Sequence, residues 1–350
     1  MQRIIKIIGS TAIVLALALG GGMARAACTQ TGFFRDSINM TAALINPGDI
    51  SGATVDATGC NIGIFFGPGS SGSVDSSTIS GANYFGIVVA GDIVDAFNNP
   101  SVGATSVDVT NNNVHDIGES PLNGTQHGVG IYYRACSPNS TAAGTISGNT
   151  LTNYQKGGIV VNCSGAAASI SSNTVTGQGP VNYIAQNGIQ VGYGASGTVM
   201  RNTVTGNAYT GTNDASSGGI LIVGGPCFGL GLPLTTGIQT VKNTLDGNDV
   251  GVWLANVIAD CVSPPATATN NKVINNALSD SAVTNVSGNG SPNGYQAGIS
   301  DTGLNDKLIN NSITGLGYTP SQCGVSGVTS ICAIDISTSA GSKVHANSVP

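Results

Sequence analysis

An all-β solenoid, a single-stranded right-handed parallel β-helix of about nine to ten coils, is the fold class this sequence predicts. Three observations predict it. Two short motifs alternate along the chain, each with apolar residues at a period of two. No stretch after the amino-terminal segment has a helical period. Charged residues make up only 8% of the chain, against roughly 25% in ordinary globular domains. Gly, Ser, Thr and Asn replace them, while 40% of residues stay hydrophobic and regularly placed, which excludes a disordered chain.

The first motif is Asn-x-aliphatic. It occurs at Asn112-Asn113-Val114, Asn149-Thr150-Leu151, Asn173-Thr174-Val175 and Asn202-Thr203-Val204, and again at Asn243, Asn271, Asn311 and Asn347. The second is Gly followed by an aliphatic alternation, as in Gly63-Ile64-Phe65-Phe66, Gly86-Ile87-Val88-Val89 and Gly130-Ile131-Tyr132-Tyr133. It continues at Gly158, Gly188, Gly219, Gly251 and Gly298, with a degenerate copy at Ala333-Ile334-Asp335-Ile336. Short strands repeating in order, joined by loops of variable length, describe a solenoid. Coils stacked at about 4.8 Å make a rod of roughly 45 Å. Asn tolerates the left-handed backbone that turns between strands require, and stacked Asn side chains can bond along the axis.

These motifs resemble the right-handed parallel β-helix repeats of the pectate-lyase-like superfamily, over roughly residues 50 to 350. The resemblance implies the fold. It leaves the chemistry open, since that superfamily includes lyases, hydrolases, esterases, epimerases and non-catalytic surface proteins. Gly124-Thr125-Gln126-His127-Gly128 faintly resembles the Gly-His-Gly turn of polygalacturonases, but no Asp-Asp pair precedes it. The Asp-Pro-His signature of alginate epimerases is absent.

Residues 1–26 read as a signal peptide: Arg3 and Lys6, an apolar run from Ile7 to Leu19, then Ala24-Arg25-Ala26 as a cleavage site. A lipoprotein anchor on Cys28 is the weaker alternative, because Arg25 stands where an aliphatic residue is expected. Export to the periplasm, cell surface or medium follows, with no membrane span in the mature chain. Residues 27–50 are expected to cap the solenoid, with Ser37 to Leu44 as a short helix or strand, and residues 51–350 to form it. Removing Arg3, Lys6 and Arg25 takes the net charge from −6 to −9, which argues against a nucleic-acid partner.

All eight cysteines follow the cleavage site, an even number suited to disulfides. Cys136 and Cys163 follow strands of neighbouring coils, as do Cys227 and Cys261. Cys323 with Cys332, and Cys28 with Cys60, complete one pairing among many. No spacing is that of a metal site, and no cofactor is expected. Asp246, Asp249 and Asp260 are a weak calcium signal.

Aligning the Gly-aliphatic strands assigns faces. Ile64/Phe66, Ile87/Val89, Ile131/Tyr133 and their counterparts through Ile334/Ile336 point inward. Asp301 breaks this row, by a register shift or as a polar exception. Phe65, Val88, Tyr132, Val160, Gln190, Leu221, Trp253, Ser300 and Asp335 point outward, either beneath covering loops or as part of a ligand groove.

One segment is chemically dense. His115, Asp116, Glu119, His127 and Arg134 are the candidate catalytic residues, with Tyr132 and Trp253 as sugar-stacking platforms. Paired carboxylates suit glycoside hydrolysis, and an Arg near a Tyr or His suits uronate elimination. The connection from His115 to His127 is expected to place its ends beside Tyr132 and Arg134. The competing reading of these residues is that they tie down a loop. Two functions therefore stand: an exported protein that binds a polysaccharide or cell-surface glycan and modifies it as a lyase or glycosidase, or a non-catalytic surface, adhesive or structural β-helix.

Overall fold

The computed structural model describes residues 27–213, 215–229, 231–284, 295–318 and 330–349. Residues 1–26, read from the sequence as a signal peptide, and Cys323 lie outside the described residues. Among the described residues the chain winds as a single-stranded parallel β-helix with three long sheets, of 11, 10 and 9 strands, and one two-stranded ribbon. Its hand is the right-handed one that strand–crossover–parallel strand connections take.

The first sheet holds the Gly-aliphatic strands, from Ile62–Phe66 through Phe85–Ala90, Val129–Arg134 and Gly157–Asn162 to Ser330–Asp335. The third holds the Asn-x-aliphatic strands, such as Asn113–Ile117, Thr150–Tyr154 and Thr174–Val181. Between them in each coil runs a strand that the two motifs do not mark: Ser71–Asp75, Ala104–Thr110, Thr141–Ser147 and their successors form the second sheet. Strands as short as Gln239–Val241 commit a single residue, Thr240, to the core, which explains their weak signal.

Neighbouring strands pair Ile131 with both Ile87 and Ile159, and Tyr133 with Val89 and Val161. Like side chains therefore stack along the axis, and the core is one continuous column. The register carries Val252 to Ile299 and Leu254 to Asp301 without a shift, so Asp301 is a polar exception. It is buried, accepting from Gly303 N and from Ser342 Oγ at 2.6 Å. Ile336 is corrected: it lies beyond Ser330–Asp335, the end strand of the first sheet, and is 40% exposed.

The turn between the second and third sheets holds an asparagine ladder. Asn112, Asn149, Asn173, Asn202, Asn243, Asn276, Asn311 and Asn347 are linked in sequence. From Asn149 onward each Oδ1 accepts from the backbone N–H and side-chain amide of the preceding Asn, as Asn202 does from Asn173 at 3.0 and 2.9 Å. Asn271 is not a member, contrary to the motif reading. It precedes the second-sheet strand Lys272–Ile274, and its Oδ1 accepts from Ile238 N. The left-handed residue is also displaced by one. Asn111, Ser172, Arg201, Lys242, Asn275 and Asn310 take positive φ, each one residue before a ladder Asn. The ladder Asn is placed for its side-chain bonds, and the exposed residue before it absorbs the turn.

The amino-terminal segment forms a hairpin, Thr29–Arg35 antiparallel to Ile38–Ile45, and the second strand already belongs to the first sheet. The hairpin lies over the outer row: Phe33 stacks on Phe65, and the Arg35 guanidinium sits over the rings of Phe85 and Tyr132. Phe65, Val88, Tyr132 and Val160 are consequently buried, while Gln190, Leu221 and Trp253 are half-buried. Disulfides join Cys28 to Cys60, Cys136 to Cys163 and Cys227 to Cys261, as the strand register suggested.

Candidate functional site

The strand Asn113–Ile117 sends Val114 and Ile117 into the core, leaving Asn113 and His115 on the outer face of the third sheet. Two residues, His115 and Asp116, therefore separate Val114 from the next inward position, one more than an alternating strand allows. Asp116 absorbs the difference with a φ of 56°, a region that Asp tolerates better than most residues. Asn153, its counterpart in the next coil, has a φ of 50° and donates its amide to Asp116 Oδ1.

His115 Nδ1 lies 2.6 Å from Asp116 Oδ2. Asp116 can only accept there, because the Asn153 amide first, and His115 after it, hold its carboxyl below the ordinary carboxylate range. Nδ1 therefore carries the proton, and Nε2 is the ring nitrogen left for a ligand.

These residues line a cleft of about 690 Å³. Its floor is the outer face of three coils, with Thr54 and Asp56, Thr78 and Ser80, and His115. One wall is the start of the loop between Ile117 and Val129, through Gly118, Glu119 and Leu122. That loop is fixed from below by Gln155, which is fully buried. Gln155 Oε1 accepts from Glu119 N and Asn123 N, and its amide donates to Thr125 O at 2.8 Å.

The candidate residues fall into separate groups. His115, Asp116 and Glu119 share the cleft. Glu119 Oε1 is 2.7 Å from His127 Nε2, and the His127 ring stacks on Tyr84 at 3.8 Å. His127 is buried, so this pair ties the loop to the first sheet.

Arg134 is elsewhere, and the expectation that the loop ends lie beside it is corrected. The loop returns at the start of Val129–Arg134, whereas Arg134 closes that strand, roughly 20 Å further along it than His127. Its guanidinium donates to the Asp92 backbone carbonyl and, at 3.3 Å, to Asp92 Oδ2, and sits over Phe33. Tyr132 is covered by the hairpin and stacked on Phe85, so it offers no open platform.

Trp253 faces outward four coils away from Tyr132, next to Tyr295. The two rings edge a separate depression of about 350 Å³ with Ser216, Ser300 and Asp335. Asp249 is buried and accepts from Tyr209 N and Ser217 N, and Asp260 holds a turn through Ser263. Among the described residues no group of three or more His, Cys, Asp or Glu is placed to hold a metal.

Sequence reasoning passed over Asp56, Ser80 and Asn153. The signal was present in the residues flanking each inward aliphatic of the third sheet. Thr54, Thr78, Asn113, Thr150, Thr174, Thr203 and Thr244 form one outward row. Asp56, Ser80, His115, Thr152, Thr176, Thr205 and Asp246 form the other.

No family model and no curated protein matches the chain. Among solved structures it is similar to a double mutant of the periplasmic alginate epimerase AlgG, at 12% identity and a TM-score of 0.48. The match covers 82% of this chain and spans 62% of the length of that one. A similarity of this size is one of chain path alone.

Proposed function

We propose that this is an exported β-helix protein that binds a polysaccharide along the outer face of its third sheet and acts on it in the cleft. The observation that carries the reading is the His115–Asp116 pair on the cleft floor, with Nδ1 engaged and Nε2 left for a ligand. An imidazole whose Nδ1 is held by a carboxylate is suited to proton transfer at Nε2, because the carboxylate orients the ring and stabilises the imidazolium. The hydroxyl and amide rows running away from the cleft suit the hydroxyls of a sugar chain. The three disulfides among the described residues fit an oxidising compartment.

Among the described residues the cleft lining holds Asp56, Asp116 and Glu119 but neither Lys nor Arg. A polyuronate would bring its own carboxylates against these, and Arg134 is too far off to neutralise them. An uncharged glycan and hydrolysis therefore suit the cleft better than uronate elimination.

The test is turnover of a panel of neutral and acidic polysaccharides by the wild type, His115→Ala and His127→Ala. The reading expects turnover that falls by at least 100-fold in His115→Ala. Equal turnover in wild type and His115→Ala overturns the site.

A second reading, a non-catalytic surface protein, is favoured by one observation. Glu119, His127 and Arg134 are all engaged in holding loops in place. Binding of a glycan without turnover of any substrate by the wild type supports it.

A further inference from the structure

The outer face of the second sheet carries a charge gradient. Following the pairing register from coil to coil, one outward row reads Asp49, Ser73, Asp108, Thr145, Ser169, Thr198, Gln239, Lys272, Lys307 and Lys343. The acids stand at one end, small hydroxyl side chains in the middle and three stacked lysines at the other end. The flanking positions repeat the trend, with Asp75 near the acidic end and His345 at the basic end. On the adjoining turn, Arg201 and Lys242 add two more cations to the basic half. In a chain with 11 Lys and Arg and a pI near 4.7, this clustering is far from an even spread.

None of Asp49, Asp75, Asp108, Arg201, Lys242, Lys272, Lys307 or Lys343 is in an ion pair among the described residues. Asp49, Asp108, Lys307 and Lys343 are exposed. Asp49 accepts from Ser73 Oγ, and Asp108 from Thr145 N, so hydrogen bonds within the sheet hold both acids in place.

We infer that this face is an interface for a second copy of the chain, packed antiparallel across a two-fold axis. Such an axis, lying in the interface and perpendicular to the rod, turns the row end for end onto itself. Asp49 then meets Lys343 of the other copy, Asp108 meets Lys272, and Ser169 meets Thr198. Each contact occurs twice. A shallow depression lined by Gly144, Ala167, Ser169 and Gly197 keeps the middle of the face low, so the two sheets can approach closely. Nine coil steps of about 4.8 Å give a charged row of about 43 Å. At two outward positions wide, the face offers on the order of 500 Å² per copy, close to the ~1,000 Å² total of a specific interface. A parallel arrangement would set lysine against lysine and aspartate against aspartate.

The experiment is analytical ultracentrifugation of the mature protein, without any glycan, at low and high salt. The inference expects a dimer at micromolar concentration that dissociates as salt rises, because exposed pairs are screened. Lys272→Asp with Lys343→Asp is expected to raise the dissociation constant at least tenfold, with an unchanged thermal melt. Adding Asp49→Lys and Asp108→Lys to that variant restores the opposed charges and with them the dimer. A wild type that stays monomeric at all concentrations overturns the inference. So does a dimer indifferent to the lysine changes, or one that the fourfold charge exchange fails to restore.

Discussion

His115 and Asp116 are adjacent in sequence, and the left-handed turn at Asp116 lets their side chains meet at 2.6 Å. In a regular strand the two would point to opposite faces. Asp116→Asn keeps the turn, since Asn153 holds the same conformation one coil on, but removes the charge that orients and supports the imidazole. Turnover is expected to fall by roughly 100- to 10,000-fold, with melting temperature little changed. Steady-state kinetics beside a thermal melt separates the two effects.

Asn202 is bonded on both sides. Its Oδ1 accepts from Asn173 N and Nδ2, and its amide donates to Ile170 O and Asn243 Oδ1. Asn202→Ala leaves several buried groups of neighbouring coils without partners. A loss of about 2–5 kcal/mol in unfolding free energy is expected, measured by denaturant titration. The same change at Asn270, an exposed turn residue outside the ladder, should cost far less.

Asp306 is buried facing Asp301, and both effects raise its carboxyl above the ordinary value of 3.8, burial most. The folded state then holds a proton that the unfolded state releases. Stability accordingly falls as pH rises from the ordinary carboxylate range toward neutrality, and levels off once the folded group has ionised. Burial pushes Asp280 up to about 6, which adds a slope of the same sign between about pH 4 and 6. Asp306→Asn keeps the acceptor for Thr269 Oγ1 and Asn271 N and supplies a donor toward Asp301. Its melting temperature should exceed the wild type's at pH 8, with the advantage vanishing near pH 4.

The Cys136–Cys163 disulfide joins neighbouring coils across a sequence separation of 27. Replacing both with Ser is expected to cost about 3 kcal/mol, chiefly by freeing the unfolded chain. Glycan turnover should persist, because the pair lies at the far end of the first-sheet strands from the cleft loop.

The inward rows of the first sheet were legible because glycine and paired aliphatics mark most copies. The second sheet was not, because strands like Gln239–Val241 bury one residue and leave no period to detect. Asn271 and Asn276 are five residues apart, and only the pairing register separates the strand-leading Asn from the ladder Asn. In the cleft, His115, Asp116 and Glu119 were legible from chemistry and proximity. Arg134 was wrongly grouped with them, because nearness in sequence across an extended strand is distance in space. Asp56 and Asn153 come from other coils, and no local pattern joins them to His115.

The Gln155 clamp beneath the loop from Gly118 to Gly128 has an evolutionary consequence. Register is set on either side of that loop, by the asparagine ladder and by the strand that follows, so the rod does not depend on what the loop contains. Residues at its tip can be exchanged, lengthened or lost while the scaffold keeps its pitch. Change there need not cost foldability, and a transplant of this loop with its clamp onto another coil would carry its wall of the cleft along.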